Sequence, residues 1–355
     1  MNDATLQDLL HRHYPTPGPV SRCKPLSGGR IHHSYQVHFD TGPDWLLQQF
    51  NTGVFTDPVT VMENIERVCA HINTRPGTNP DLGVPELITT TDGGTLARAA
   101  GDQTWRAFVF VANSRAFQRA PDPAHAGEAA RAFATFVRRL DDLPEPPLHE
   151  ILPGFHDTPA RLRTLEQAAH EDPLGRLNGC EPLVRKMLNE TELASELSGG
   201  LPLRHIHNDT KINNLLFRAD AETPRVSHVV DLDTVMPGPL AHDFGDLVRS
   251  AANAAPDEDQ AGFDLGLYAA LARGYSEGMG ASMTNDERSS LVIAPQVLSL
   301  ELALRFLADH LRGDRYFRVE ASGDNLRRAM AQYTLVRQMH AAEHDMVRIL
   351  DDCGP

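Results

Sequence analysis

The first third of the chain alternates apolar and polar positions in the manner of β-strands. Residues 34–39 and 45–50 carry this alternation on either side of 40–44, where a glycine and a proline predict a hairpin turn. An earlier strand is predicted at 23–26, and the polar loop 27–33 joins it to the next one. These segments together predict a small antiparallel sheet.

A change of period marks the first predicted helix. Asp57 followed by Pro58 is typical of a helix start, because aspartate caps free N–H groups and proline is tolerated in the first turn. Apolar residues then share one helical face: Val61, Ile65, Val68 and Ile72. Two further strands are predicted at 96–99 and 105–111, so the N-terminal part is expected to be a mostly antiparallel sheet with one helix.

Beyond Ala112 the strand pattern stops and helical periods dominate. Helices are predicted at 126–140, 160–170, 181–197, 243–253, 262–278, 285–312 and 323–350. Two short apolar runs, 201–206 and 228–230, interrupt them as predicted strands. The pattern indicates an α+β fold with two lobes, a mostly antiparallel β lobe at 1–112 and a larger, mainly helical lobe at 113–355.

Composition limits the class of protein. The 355 residues carry a formal net charge of −15, and such a surface repels DNA and RNA. The chain has no apolar run of about 18 residues, so no membrane-spanning helix is expected, and its polar N-terminus lacks the pattern of a secretion signal. Cys23, Cys69, Cys180 and Cys353 are widely spaced, which favours free thiols in a reducing cytoplasm over a zinc site.

Polar residues follow the two predicted strands of the second lobe where each strand ends. The first strand leads into HNDTKINN at 207–214, and the second leads into DLD at 231–233. Phosphoryl transfer needs such a set, because one carboxylate positions the attacking hydroxyl while an amide oxygen and another carboxylate hold Mg²⁺ on the nucleotide phosphates. Few covalent steps fall to the protein, so a few fixed oxygens suffice. The alternative is that these polar residues at the two strand ends only cap turns.

The segments 207–217 (HNDTKINNLLF) and 229–249 (VVDLDTVMPGPLAHDFGDLVR) resemble the aminoglycoside phosphotransferase and choline kinase superfamily, relatives of the protein kinases. Together with 46–69, 155–162 and 301–317, they are similar to the N-acetylhexosamine 1-kinases. The resemblance implies a protein-kinase-like two-lobe fold. Its small lobe would cover the phosphates, its cleft would hold ATP and Mg²⁺, and its helical lobe would hold the acceptor.

The resemblance assigns a position to each of five residues in these segments. Asp209 matches the catalytic carboxylate, which accepts the proton of the attacking hydroxyl or mainly orients it. Asn214 and Asp231 match the metal ligands, and their hard oxygens suit Mg²⁺. Asp233 is expected either to reach the metal through water or to be solvated. His207 matches a scaffold histidine that ties the loop to the core without a chemical role.

Lys211 and Asp243 are charged residues with competing interpretations. Lys211 lies two residues after Asp209, where protein kinases have a lysine on the transferred phosphate. It is predicted to neutralise charge on the γ-phosphate, with a solvated surface lysine as the alternative. Asp243 begins an Asp-Phe-Gly tripeptide that marks the metal aspartate in protein kinases, but it lies too far beyond Asp209. It is predicted to be a helix N-cap that bonds back to the loop.

The nucleotide side departs from the family pattern in two places. The glycine loop has only Gly28 and Gly29 before Arg30, which is predicted to supply positive charge. The third strand should offer a lysine or arginine to the α- and β-phosphates, but Gln48 and Gln49 stand there. Either glutamine can donate a hydrogen bond, although a charge-assisted bond is roughly twice as strong as a neutral one.

The helix after the third strand should carry a glutamate that pairs with the missing lysine. Glu66, near the apolar face, is the candidate in preference to the outward-facing Glu63. Without the lysine, such a glutamate loses its usual partner.

Candidate acceptor residues are the polar groups that the family places near the catalytic loop. They are His32 and His33 at the tip of the glycine loop, Arg305 on the long helix and Tyr316 just beyond it. Sugar hydroxyls need directional partners of this kind. The alternatives are solvated loop histidines and an Arg305 that bridges helices.

The predicted function is ATP-dependent phosphorylation of the anomeric hydroxyl of N-acetylglucosamine or N-acetylgalactosamine, with ATP and Mg²⁺ as cofactors. One alternative changes the acceptor to an aminoglycoside, choline or another amino alcohol, for which Asp257, Glu258 and Asp259 form an acidic cluster. The other alternative is a non-catalytic nucleotide-binding pseudokinase, suggested by the missing third-strand cation. No nucleic-acid, membrane or protein partner is implied.

Overall fold

An antiparallel sheet forms the N-terminal lobe in the computed structural model, which describes residues 3–26, 31–74, 82–99, 101–255 and 259–354. Its strands are β1 (Val20–Pro25), β2 (His33–Phe39), β3 (Trp45–Gln49), β4 (Leu87–Ile88), β5 (Ala97–Ala99) and β6 (Gln103–Val109). They lie in the order β1-β2-β3-β6-β4, and β5 also pairs with β6. The predicted hairpin between the second and third strands is confirmed.

One face of this sheet is covered by α1 (Asp3–His13), a helix that was not predicted. Leu6, Leu9 and Leu10 of α1 share a buried cluster with inward residues of the sheet, including Trp45 and Trp105. The three leucines have the spacing of one helical face, so the pattern contained the signal.

The opposite face of the sheet meets α2 (Pro58–Asn73). Strand residues alternate between faces, and Leu46 and Phe108 therefore pack into the core that contains α2 while their neighbours face α1. The predicted cap is confirmed, because the Asp57 carboxylate accepts the N–H groups of Val59 and Thr60 over 3.2 Å each. Every second side chain of these strands thus faces α2, on the side of the sheet that meets the second lobe.

The C-terminal region is helical, as predicted. Its helices are α3 (Pro123–Arg139), α4 (Thr158–Glu171), α5 (Glu181–Leu188), α6 (Thr191–Ser195), α7 (Leu240–Ala251), α8 (Leu265–Met279), α9 (Asn285–Arg312), α10 (Asp324–Ala341) and α11 (Glu343–Asp352). The predicted helix 181–197 is two helices, and 323–350 is broken at Ala342. By length and composition α9 could cross a membrane, but most of its apolar stretch is buried among neighbouring helices. The α+β prediction is confirmed.

Five short strands surround the predicted catalytic segment. They are β7 (Ser114–Arg115), β8 (Leu203–Ile206), β9 (Leu215–Arg218), β10 (Val226–Val229) and β11 (Met236–Pro239). The two predicted strands, β8 and β10, lie in different small sheets, with β8 paired to β11 and β10 paired to β9. The β11 sequence contains two prolines and a glycine, which disfavour a strand prediction. The segment is nevertheless a strand because it pairs with β8, which lies about 30 residues earlier in the chain.

α3 and α8 approach each other closely where each has a glycine. A Cβ atom added to Gly274 would lie 2.0 Å from the carbonyl oxygen of Gly127. We expect Gly274→Ala to lower the free energy of unfolding by about 1–3 kcal/mol, the usual effect of overpacking. Urea unfolding measures this, with Gly179→Ala as the control because a Cβ there meets nothing within 4 Å. Equal midpoints for both variants would contradict the close approach.

Candidate active site

The predicted catalytic loop, residues 207–214, begins at His207, directly after β8. His207 is fully buried, and its Nε2 donates to the carbonyl oxygen of Val230 over 3.0 Å. Phe133 and Phe136 of α3 meet the ring edge to face. Burial lowers the pKa of His207, which keeps the ring neutral. This contact ties the loop to the end of β10 and agrees with the scaffold position implied for His207.

Asp243 fixes the loop from the other side, but it is not the helix N-cap that was predicted. α7 begins three residues earlier at Leu240, and Pro239 occupies the cap position. The Asp243 carboxylate accepts the backbone N–H groups of His207 and Asn208 over 2.9 and 2.7 Å. Asn208 has a φ of 64°, so these bonds hold a backbone conformation that is costly for a residue with a side chain.

Asp209, Lys211 and Asn214 form one contact group in this loop. The Lys211 ammonium lies 2.6 Å from Asp209 Oδ1. Asn214 Nδ2 donates to the other carboxylate oxygen of Asp209 over 3.1 Å and to its carbonyl oxygen over 2.8 Å. Burial opposes ionisation, but Lys211 outweighs it and holds the pKa of Asp209 below its ordinary value. The carboxylate is therefore ionised and able to accept a hydrogen bond.

Asp231 lies next to Asn214 because β9 and β10 are paired at that end. Val230 donates its N–H to the carbonyl oxygen of Asn214 over 2.9 Å, and Asp231 follows with a left-handed φ of 62°. Burial, with the nearby carboxylates of Asp233 and Asp209, raises the pKa of Asp231 to about 8. A divalent cation relieves such crowding of negative charge.

The donor set at this point suits a hard cation. Because Asn214 Nδ2 is held by two acceptors on Asp209, its Oδ1 is the atom left to ligate. Mg²⁺ usually takes one or two protein oxygens and completes its shell with water and phosphate. Among the described residues no cluster of three His, Cys, Asp or Glu could enclose a metal alone. Asn214 and Asp231 could therefore hold a metal that a nucleotide shares.

Asp233 is neither solvated nor free. Its two oxygens accept from Nη1 and Nη2 of Arg106 over 2.5 and 2.7 Å, and both side chains are 2% exposed. His32 Nε2 lies 3.4 Å away, and its Nδ1 accepts the N–H of Asn51. Burial opposes the negative charge of Asp233, but Arg106 and His32 hold the pKa of Asp233 well below its usual range. Solvation is therefore wrong for Asp233, and the alternative of a solvated loop histidine is wrong for His32, which is buried.

Arg106 is a functional candidate that was missed. Gln48 of β3 stands directly opposite Arg106 of β6, and Arg106 Nε donates to Gln48 Oε1 over 3.0 Å. A cation thus lies one strand away from the position where the family pattern has it. The available signal was a lone arginine within the apolar run 104–111, since a charge there must find a buried partner.

Neither glutamate of α2 pairs with this cation. Glu66 is exposed and accepts from the hydroxyl of Thr95, and the exposed Glu63 lies 3.2 Å from His149. The preference for Glu66 is therefore wrong. Arg106 takes its carboxylate partner from the second lobe, and its Nη1 meets only the Met62 sulfur on α2.

Gly28, Gly29 and Arg30, the predicted glycine loop, lie outside the described residues. His33 is exposed at the first position of β2. These residues stay sequence predictions.

Arg305 and Tyr316 come together on the helical side. Arg305 Nη2 lies 3.5 Å from the Tyr316 hydroxyl, and Tyr316 is 64% exposed. The guanidinium is also 5.7 Å from the ring centroid of Phe155 and 5.5 Å from that of Phe317. The two predicted acceptor residues therefore form one aromatic-lined cationic surface, which also includes Glu301 at 3.7 Å from Arg305.

Solved structures of small-molecule kinases share this fold. Spectinomycin phosphotransferase APH(9)-Ia, in complex with ADP and spectinomycin, has a TM-score of 0.62 at 13% identity, covering 97% of this chain and 99% of that one. The microcompartment-associated aminopropanol kinase has a TM-score of 0.62 at 16% identity, covering 96% and 98%. Choline kinase from Cryptosporidium parvum has a TM-score of 0.60 at 13% identity, covering 98% of each chain. The predicted kinase-like fold is confirmed.

The sequence also matches a family model. The model described as the phosphotransferase enzyme family, APH, matches residues 22–281, which include the catalytic loop, Asp231 and Arg106. Since the match spans most of the chain, this protein belongs to the phosphotransferase enzyme family and is a small-molecule phosphotransferase.

Proposed function

We propose that this protein transfers the γ-phosphate of ATP to the anomeric hydroxyl of an N-acetylhexosamine. The observation that carries the transfer step is the grouping of Asp209 with Lys211 and Asn214 beside Asp231. The choice of a sugar is supported by the similarity of five segments to N-acetylhexosamine 1-kinases and by the chemistry around Arg305.

Asp209 would act mainly by orientation. Its low pKa makes it a weak base, and an ionised carboxylate accepts the hydrogen bond of a hydroxyl and fixes its direction of attack. Lys211 contacts this carboxylate, and its ammonium would neutralise the charge that develops on the transferred phosphoryl group.

Asn214 Oδ1 and the Asp231 carboxylate would hold Mg²⁺, which neutralises phosphate charge when it is bound. Arg106 would replace the lysine that the third strand lacks. Arg106 lies opposite Gln48 and forms a buried ion pair with Asp233. Asp233 is two residues after Asp231, the proposed metal ligand. The positive charge of Arg106 therefore both offsets the crowded carboxylates and holds the turn that carries Asp231.

The surroundings of Arg305 favour a neutral acceptor over a cationic one. A choline-like ammonium needs free aromatic faces, but the faces of Phe155, Tyr316 and Phe317 are already close to the Arg305 guanidinium. Asp259, the described member of the predicted acidic cluster, pairs with Arg327 at 3.2 Å. Sugar hydroxyls and an acetamido oxygen can instead accept hydrogen bonds from an arginine.

An ADP-release assay over a panel of acceptors tests the proposal. We expect turnover with N-acetylglucosamine or N-acetylgalactosamine, and a product that has lost its reducing end. Glucose controls for the acetamido group, and the methyl glycosides of the same N-acetylhexosamines, in which the anomeric oxygen is blocked, control for the site of transfer. Turnover only with aminoglycosides, choline or aminopropanol would show that the acceptor belongs to this class and is not an N-acetylhexosamine. Mg-ATP binding without turnover on any acceptor would indicate a pseudokinase.

A further inference from the structure

A buried histidine that has no assigned role lies behind the catalytic loop. His156 belongs to the turn before α4, within one of the segments that resemble hexosamine kinases, and its side chain is 7% exposed. Its Nδ1 lies 3.3 and 3.2 Å from the two carboxylate oxygens of Glu301 on α9. Its Nε2 lies 3.2 Å from the carbonyl oxygen of Asn208, the residue just before Asp209.

Both partners of this ring can only accept hydrogen bonds. A carboxylate and a backbone carbonyl have no proton to donate, so satisfying both requires a proton on each ring nitrogen. His156 is therefore an imidazolium in this arrangement. Burial opposes that charge, but Glu301 outweighs burial and raises the pKa of His156, with a smaller contribution from Asp246.

The neighbouring ring adds no second positive charge. His242 of α7 packs against His156 with the ring centroids 4.7 Å apart. Burial and the positive charge of His156 lower the pKa of His242 to about 3. His242 is thus a neutral spacer, and Glu301 and Asp246 provide the negative charge around the imidazolium.

The same carboxylate connects to the acceptor side. Glu301 is 3% exposed and lies between two cations, with Oε2 toward His156 and Oε1 at 3.7 Å from Arg305. Thr158 also donates to Oε2 over 3.4 Å. One unbroken series of contacts therefore runs from Tyr316 and Arg305 through Glu301 and His156 to the peptide that carries Asp209.

We propose that His156, paired with Glu301, is a positioning residue that fixes the Asn208–Asp209 peptide and connects it to the acceptor-side Arg305. The Asn208 N–H donates to Asp243, and its side-chain Nδ2 donates to the carbonyl oxygen of Thr234 over 3.0 Å. These bonds hold one side of the peptide, and the contact of His156 with the Asn208 carbonyl oxygen holds the other. The inference rests on the proposed transfer reaction.

Steady-state kinetics of His156→Gln and Glu301→Gln test the positioning role. We expect kcat for sugar phosphorylation to fall about 10- to 100-fold, the usual effect of a slightly misplaced catalytic group, while KM for Mg-ATP changes less than about twofold. The double variant should be no slower than the slower single variant, because the two residues act as one unit. An unchanged kcat, or independent losses that multiply, would overturn the proposal.

His71→Gln is the matched control. His71 is also buried, and its Nε2 contacts a backbone carbonyl and a carboxylate, those of Arg139 and Asp142, at 3.0 and 3.1 Å. The variant therefore loses the same kinds of contact, but outside the series of contacts that reaches Asp209. A destabilisation similar to that of His156→Gln, with kcat retained, separates positioning from a general loss of structure. An equal fall in kcat would mean that His156 is only structural.

Imidazole NMR tests the inference without turnover. In ¹⁵N-labelled protein near pH 7.5, we expect one histidine whose two ring nitrogens carry protons more fully than those of exposed histidines. The signal should vanish in His156→Gln and move toward the neutral form in Glu301→Gln. A neutral His156 in the wild type would overturn the inference. Should the wild type phosphorylate no acceptor at all, the proposed function fails, and these signals alone decide the state of His156.

Discussion

Asp209→Asn should lower kcat for phosphoryl transfer by about 10²–10⁴-fold, the range typical of the loss of a side chain that positions the reacting hydroxyl. The amide is nearly the same size, but it cannot orient the acceptor hydroxyl as a charged acceptor does. KM for Mg-ATP should stay within a few-fold, because Asn214 and Asp231, the proposed metal ligands, remain. Steady-state kinetics with the sugar and nucleotide varied separately measures both values.

Asp220→Asn is the control for this loss of charge. Asp220 pairs with Arg218, two positions away, at 3.3 Å, just as Asp209 pairs with Lys211, two positions away. Unlike Asp209, however, Asp220 is exposed. The control should keep wild-type kcat. A kcat for Asp209→Asn above a tenth of the wild-type value would show that Asp209 is not the catalytic carboxylate, and unchanged binding of Mg-ATP would then favour another acceptor-side group.

Arg106→Met should affect stability and nucleotide use together. The variant keeps an apolar stem between Phe50 and Phe108 but leaves Asp233 buried without its cation. Removing one partner of a buried ion pair costs about 3–5 kcal/mol of unfolding free energy. KM for Mg-ATP should also rise at least about tenfold, the equivalent of about 1.4 kcal/mol, because the turn that carries Asp231 loses its anchor.

A second substitution separates the two effects. In Arg106→Met/Asp233→Leu the whole ion pair is replaced by apolar groups, which is often close to neutral for stability. We therefore expect the unfolding free energy to recover while KM for Mg-ATP stays high. Arg204→Met is the control. Arg204 forms a similar ion pair with the buried Glu287, at an N–O distance of 2.5 Å, and this pair does not involve Asp233 or its turn. The control variant should lose stability and keep its KM. Recovery of both properties in the double variant would make Arg106 purely structural.

The sequence alone located the proposed catalytic and metal-binding oxygens. Asp209, Asn214 and Asp231 lie just after or between short strands, and an apolar run followed by a polar loop predicts that placement from local pattern. The cap at Asp57 was equally local, because its partners are two and three residues away. Helix breaks were less predictable: the pattern of 323–350 is continuous, yet the chain divides into two helices at Ala342.

The interpretation of Asp243 failed for a related reason. Its spacing from the loop suggested a role near the catalytic segment, and its carboxylate does bond the loop. The helix, however, begins at Leu240, and an N-cap position changes when the helix starts one turn earlier. Boundaries depend on packing at both ends of an element, which a local pattern only partly reports.

Neither Arg106, the proposed cation of the nucleotide side, nor His156, the proposed support of the predicted catalytic loop, could be assigned from the chain by itself. Arg106 and Asp233 are separated by 127 residues, and His156 and Glu301 by 145. Caps, periods and strand ends arise from interactions between near neighbours, so the sequence determines them and with them the phosphotransferase chemistry. Which charges meet inside the fold depends on strand register and on how the lobes pack, and only the tertiary structure decides that.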